Sequence, residues 1–141
     1  MSAADRPDFA GMSCPMPLLD HDTVQLAHGA GGRLSADLID RLILPRFRSP
    51  ELARLEDQAV LDLPPGRVAF STDTFVVDPI FFPGGDIGDL AINGTVNDVA
   101  MSGARVEALS VGFVLEEGFP LADFHRVLCS MEAAARAAGV R

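Results

Sequence analysis

The sequence predicts an α+β domain in which helices pack on one face of a mixed β-sheet. Three observations carry that reading. Residues alternate with a period of two through 67–77 and form a nearly continuous apolar run over 106–115, as strands do. Two segments, opened at Asp86 and near Pro120, carry apolar residues at helical spacing and stop at Gly103 and Gly139. In chain order the elements read strand, helix, strand, strand, helix, strand, helix. That order mixes a strand pair with helical crossovers.

At 141 residues the chain fits one domain, and with 48% hydrophobic residues it can bury a substantial core. No apolar run reaches the length of a membrane span, and the opening residues lack the pattern of a secretory leader, so a cytoplasmic location is expected. Cys14 and Cys129 are too far apart in sequence for a Cys-x-x-Cys site and read as bystanders. The net charge is −9, from 20 acidic and 11 basic residues, which argues against nucleic acid or an anionic membrane as partner. Every basic residue is arginine. Without lysine there is no Walker A loop, no kinase strand lysine and no Schiff base. A nucleotide could be held here only through carboxylate-bound metal, backbone amides and arginine.

Residues 1–22, with Pro7, Pro15 and Pro17, read as a flexible lead-in to a domain over 23–141. A short strand over 24–27 runs into His28-Gly-Ala-Gly-Gly-Arg33. Glycines there let main-chain N–H groups converge on a ligand, and the helix over 34–44 aims its positive end at the same place. The spacing is not that of a dinucleotide fingerprint, so a plain turn stays open as a reading. His28, with no second histidine at ligand spacing, is expected to orient the loop rather than bind metal. Pro45 ends the helix. A carboxylate pair, Glu56-Asp57, enters a strand over 55–63, and Pro64-Pro-Gly66 turns into the strand over 67–77. In that strand Asp73 shares a face with Ala69, Ser71, Phe75 and Val77.

Asp86 is a good N-cap for the central helix, which ends with Gly94-Thr-Val-Asn-Asp-Val-Ala-Met-Ser-Gly103. Asp89, Asn93 and Asn97 form a polar strip between two apolar stripes, which implies burial on two sides. Asp98 falls among Ile87, Ala91 and Met101 instead, where a carboxylate must find a cation or donors. The final helix sets Phe124, Val127, Leu128, Met131, Ala134, Ala135 and Ala138 on one side, as core. Three stretches therefore each deliver an acid at an awkward place: Glu56-Asp57, Asp73 and Asp98. Unpaired, such acids would repel one another; a shared hard cation such as Mg²⁺ removes the conflict.

The blocks Leu26-Ala-His-Gly-Ala-Gly-Gly-Arg33, Leu55-Glu-Asp-Gln-Ala-Val-Leu61, Phe70-Ser-Thr-Asp-Thr-Phe-Val-Val77, Phe81-Phe-Pro-Gly-Gly-Asp-Ile-Gly88, the 94–104 segment and Gly112-Phe-Val-Leu-Glu-Glu-Gly-Phe-Pro120 resemble, in order, the amino-terminal half of the HypE family. HypE proteins are hydrogenase-maturation carbamoyl dehydratases of the aminoimidazole ribonucleotide synthetase (PurM-like) superfamily. The resemblance covers about residues 20–141. It implies a PurM-like fold whose sheet pairs across a homodimer, with ATP near that interface. It also implies ATP and Mg²⁺ as cofactors, with Asp57, Asp73 and Asp98 holding metal and Asn97 and Glu56 beside them. Gly29, Gly31 and Gly32 match the segment that closes over the phosphates.

By the same resemblance the activity is ATP-dependent conversion of a cysteine-bound carboxamide to thiocyanate, the source of the cyanide ligands of [NiFe] hydrogenase, with HypF and the HypC–HypD complex as partners. The chain departs from the family in lacking the second domain and the carboxyl-terminal acceptor cysteine. No catalytic residue is therefore assigned, and complete turnover from these residues alone is not expected. Two alternatives stand beside this reading: a non-catalytic dimerisation or interaction fragment, and another ATP-using member of the superfamily.

Overall fold

The structure is a computed structural model that describes residues 15–47 and 49–141. The proline-containing lead-in up to residue 14, with Cys14, and Arg48 lie outside the described residues. Helix α1 (Arg33–Leu38) passes directly into a π turn, Ile39–Ile43. Strands β1 (Phe81–Phe82) and β2 (Gly85–Asp86) form an antiparallel hairpin with Phe81 opposite Asp86 and Phe82 opposite Gly85. Helices α2 (Ile87–Met101) and α3 (Leu121–Ala138) follow. Short 3₁₀ turns occupy Leu26–Gly29 and Leu52–Arg54.

Helix α3 organises the core. Its start follows Pro120, whose fixed φ suits a helix entrance, and it stops where Gly139 adopts the left-handed conformation at φ 68°. Between those ends Leu121, Phe124, Val127, Leu128, Met131 and Ala134 are buried at three- and four-residue spacing. Leu38 and Leu42 of the first helix, Ile92 of α2 and Val24 complete the buried cluster. Phe113 stands edge-on to Phe124, with ring centroids 5.0 Å apart, and ties the 106–115 segment to it.

Helix α2 meets α3 at Gly88, where a methyl group would lie only 2.5 Å from the Val127 carbonyl oxygen. The cap above that crossing is the expected Asp86. Its Oδ1 accepts N–H bonds from Gly88 at 2.8 Å and Asp89 at 3.1 Å, and the Ser130 hydroxyl of α3 also donates to it. The hairpin ahead of the cap is held by Ile87 N–H donating to Ile80 and by the Arg126 guanidinium over the Phe81 ring, 4.0 Å from its centroid.

The expected mixed sheet is not assembled among the described residues, where the only ladder is the two-residue hairpin. Residues 55–63, 67–77 and 106–115 lie in no ladder. The strand expected at 24–27 is reduced to a Thr23–Pro120 bridge flanked by bonds between Val24 and residues 118 and 119. Leu26–Gly29 turns into 3₁₀ geometry instead, because the His28 ring accepts the Gln25 N–H and closes the turn. Period-two burial nevertheless survives in 70–78, where Ser71, Asp73, Phe75 and Val77 face the body and Phe70, Thr72, Thr74 and Val76 face outward. Strand-type residues there have a packed face but, among the described residues, no ladder partner for their backbone edges. Phe70, 86% exposed, and Val76, 91% exposed, mark an apolar face without a covering layer.

Candidate functional site

The residues expected at a site lie on three pieces of the chain, with Asp57 on a fourth. The first is the glycine-rich turn. Ser35 Oγ accepts the Gly31 N–H at 3.0 Å and donates to the His28 carbonyl at 2.7 Å, stapling the turn onto the first turn of α1. His28 Nδ1 accepts the Gln25 N–H at 2.8 Å, which leaves the proton of the neutral ring on Nε2. The histidine thus orients the loop, as expected. Gly31 needs its glycine for conformation, at φ 73°, whereas at Gly29 and Gly32 the gain is open space. A Cβ at any of the three would meet nothing within 4 Å. Packing does not explain these glycines; room beside an exposed backbone is what they provide.

The second piece is the acid-bearing segment around Asp73. Asp73 Oδ2 is buried and has no hydrogen-bond partner, an uncommon state for a carboxylate oxygen and one that a cation or a donor would relieve. Two residues on, Phe75 faces the same way and lays its ring edge on Gly94 of α2. The third piece is the second half of α2. Asn97 and Asp98 are both exposed. Asp57 is exposed as well, two residues after Leu55, a non-glycine residue in the left-handed region at φ 53°.

The placement of Asp98 corrects the expectation of a carboxylate enclosed by an apolar stripe. Helix α2 is covered by α3 on the Gly88 and Ile92 side, but on its other apolar stripe Leu90 is 38% and Met101 79% exposed, so that stripe is open at Asp98 and Met101 while Ile87, Ala91 and Gly94 are half-buried. A helix reads as buried on two sides when both stripes are apolar, and sequence carries no mark of which stripe this length of chain covers. Among the described residues no three His, Cys, Asp or Glu side chains stand close enough to hold a metal by themselves. Mg²⁺ commonly takes only one or two carboxylates and fills its octahedron with water and phosphate oxygens. The donors here are hard oxygens, and the unpartnered Asp73 oxygen has the character such an ion requires. The residues therefore fit Mg²⁺ in kind.

Two contributors were not singled out from sequence. Ser35 was hidden because a serine early in a helix gives no sign of which loop it will staple. Ser130, on α3, reaches Asp86, forty-four residues earlier in the chain. The Ser35 contacts are local, four and seven residues back, whereas the Ser130 contact is not.

The sequence matches the family profile described as AIR synthase related protein, N-terminal domain, over residues 55–141. It is 55% identical over 122 residues to the carbamoyl dehydratase HypE of Azotobacter vinelandii, covering 86% of this chain and 36% of that protein. To the carbamoyl dehydratase HypE of Escherichia coli K12 it is 53% identical over 124 residues, covering 84% of this chain and 37% of that one. Among solved structures, a hydrogenase maturation protein HypE in complex with ATP superposes with a TM-score of 0.81 at 57% identity, over 84% of this chain and 35% of the other. Escherichia coli HypE superposes with a TM-score of 0.70 at 53% identity, over 74% of this chain and 34% of the other. The chain spans little more than a third of the length of these relatives. Among the described residues no helix is long and apolar enough to cross a membrane. Fold and sequence agree: the chain belongs to the AIR synthase related family and carries its N-terminal domain.

Proposed function

We propose that residues 23–141 form the ATP- and Mg²⁺-binding amino-terminal domain of a HypE-type carbamoyl dehydratase. The observation that carries this most is the buried, unpartnered Asp73 oxygen, in a chain 57% identical to a HypE solved with ATP. Asp57, Asp73 and Asp98 are the residues to hold Mg²⁺, with Asn97 beside them, and Gly29, Gly31 and Gly32 offer main-chain N–H groups to phosphate oxygens. The metal, when bound, neutralises phosphate charge. The carboxylates confer the Mg²⁺ requirement, and the glycine turn, stapled by Ser35, presents its amides without side chains in the way.

In the complete enzyme the reaction we assign is dehydration of a cysteine-bound carboxamide. The carboxamide oxygen leaves with the transferred phosphoryl group, the two amide protons pass to phosphate and solvent, and a thiocyanate remains for the cyanide ligands of [NiFe] hydrogenase. HypF as carbamoyl donor, HypC–HypD as acceptor and a cytoplasmic setting belong to the same proposal. Titration of ATP into the folded chain tests its first step; absence of binding with Mg²⁺ present would refute it.

The unpaired apolar face of 67–77 supports a second element, pairing of two copies through that face. Sedimentation should show a dimer that Phe70→Asp disrupts. A wild-type chain that stays monomeric at high concentration would contradict the pairing.

A further inference from the structure

Helix α2 is seated on two glycines that face different neighbours. At Gly88 the obstacle to any side chain is the α3 backbone, with the Val127 carbonyl oxygen 2.5 Å from where a Cβ would stand. At Gly94 the obstacle is one ring, because a Cβ would lie 2.8 Å from both Cε1 and Cζ of Phe75. The two contacts differ in what can yield. The first end of α2 is bonded to α3 through Asp86 and Ser130 and cannot slide away cheaply. The 67–77 segment can, since it belongs to no ladder and its outer residues, Phe70 and Val76, touch little.

Both residues of this contact stand next to proposed metal ligands in register. Phe75 is two residues from Asp73, on the same inward face of its segment. Gly94 is four residues from Asp98, one turn along the same helix face. The ring of one element on the bare backbone of the other links the segment bearing one acid to the helix bearing the other.

We infer that Phe75 and Gly94 are positioning residues: their contact sets the register between the Asp73 segment and the Asp98 helix, and so sets the spacing of the two carboxylates. This rests on the metal–nucleotide reading above. An ordinary van der Waals contact begins near 3.4 Å, so a methyl at position 94 displaces the ring, and with it the unpaired segment, by about 0.6 Å. A built site tolerates about 0.5 Å of misplacement.

The test is Gly94→Ala, alone and with Phe75→Leu, which removes the two ring atoms in conflict. In Gly94→Ala the affinity for Mg–ATP, measured by calorimetry on the full 141-residue chain, should fall by about tenfold. The double variant should return to within about threefold of Phe75→Leu alone. Nuclear Overhauser contacts between the Phe75 ring and position 94, present in the wild type, should weaken in Gly94→Ala whether or not nucleotide is added. Gly94→Ala with wild-type affinity, or a loss that Phe75→Leu fails to recover in protein that melts like wild type, overturns the inference. Wild-type protein that binds no Mg–ATP defeats the functional reading; the ring contacts then decide the register claim by themselves.

Discussion

Gly88→Ala tests the packing that fixes α2. The new methyl would sit 2.5 Å from Val127 O, 2.6 Å from Ser130 Oγ and 2.8 Å from Met131 Cγ. Reaching an ordinary 3.4 Å contact with the carbonyl requires the helices to separate by about 0.9 Å at their crossing. Overfilling a packed crossing costs about 1–3 kcal/mol. Against that, alanine favours a helix over glycine by about 1 kcal/mol when nothing is in the way. The hydroxyl of Ser130 is pushed too, which weakens its bond to Asp86 and adds to the steric cost. We expect a net loss of about 2 kcal/mol, or roughly 8 °C in Tm for a chain of this size. Thermal and urea denaturation followed by far-UV circular dichroism read it directly. The sign alone is diagnostic: if α2 did not meet α3 at Gly88, the substitution would stabilise the protein, and a raised Tm would refute the crossing.

Ser130→Ala removes one of three donors to Asp86 and should cost about 1–2 kcal/mol, while Asp86→Asn, which still caps the helix, should cost less than Asp86→Ala; urea midpoints rank the three. Burial, and secondarily the positive charge of Arg46, hold His125 below its usual pKa of 6.5. The native state then binds that proton less readily than the unfolded chain, so this contribution to stability is present above about pH 6.5 and is lost as pH falls toward the folded value. Denaturation midpoints should decline across that window in the wild type and decline less in His125→Asn. Ser35→Ala frees the Gly31 N–H and the His28 carbonyl and should weaken Mg–ATP binding by about threefold to tenfold with only a small change in Tm, because one of the two bonds is exposed and the other only part-buried.

What could be read from sequence divides by range. Helix ends were legible because their signals are local: Asp86 and Pro120 at the starts, Gly103 and Gly139 at the stops, Pro45 after the first helix. The core face of α3 followed from its own periodicity as far as Ala135, while Ala138, expected on that face, is exposed in the last turn beyond the packing. Strands were legible as patterns but not as pairs, since alternation in 67–77 specifies which face packs and says nothing about who sits beside the backbone. The same limit governs the site. Asp73 was found because an acid interrupts its inward face, and its buried oxygen agrees with that signal. Asp98 was placed by helical arithmetic on an apolar stripe, but the stripe is open at that end, and Asp98 is exposed. The Ser130 bond to Asp86 depends on a contact across the fold, for which residue type and spacing carry no mark; the Ser35 staple is local, but a serine early in a helix does not reveal which loop atoms it will bond.

The central claim is a nucleotide site built on carboxylates and Mg²⁺. Asp98 offers a clean probe because its side chain is exposed, so Asp98→Asn removes charge without disturbing the core. The measurement is calorimetric titration of ATP into wild type and Asp98→Asn, each with and without Mg²⁺, on protein shown to be folded by its cooperative melt. The account predicts wild-type binding that requires Mg²⁺ and falls by at least about tenfold in the variant. Binding that is indifferent to Mg²⁺ or to the variant, or no binding by folded wild type, would contradict it.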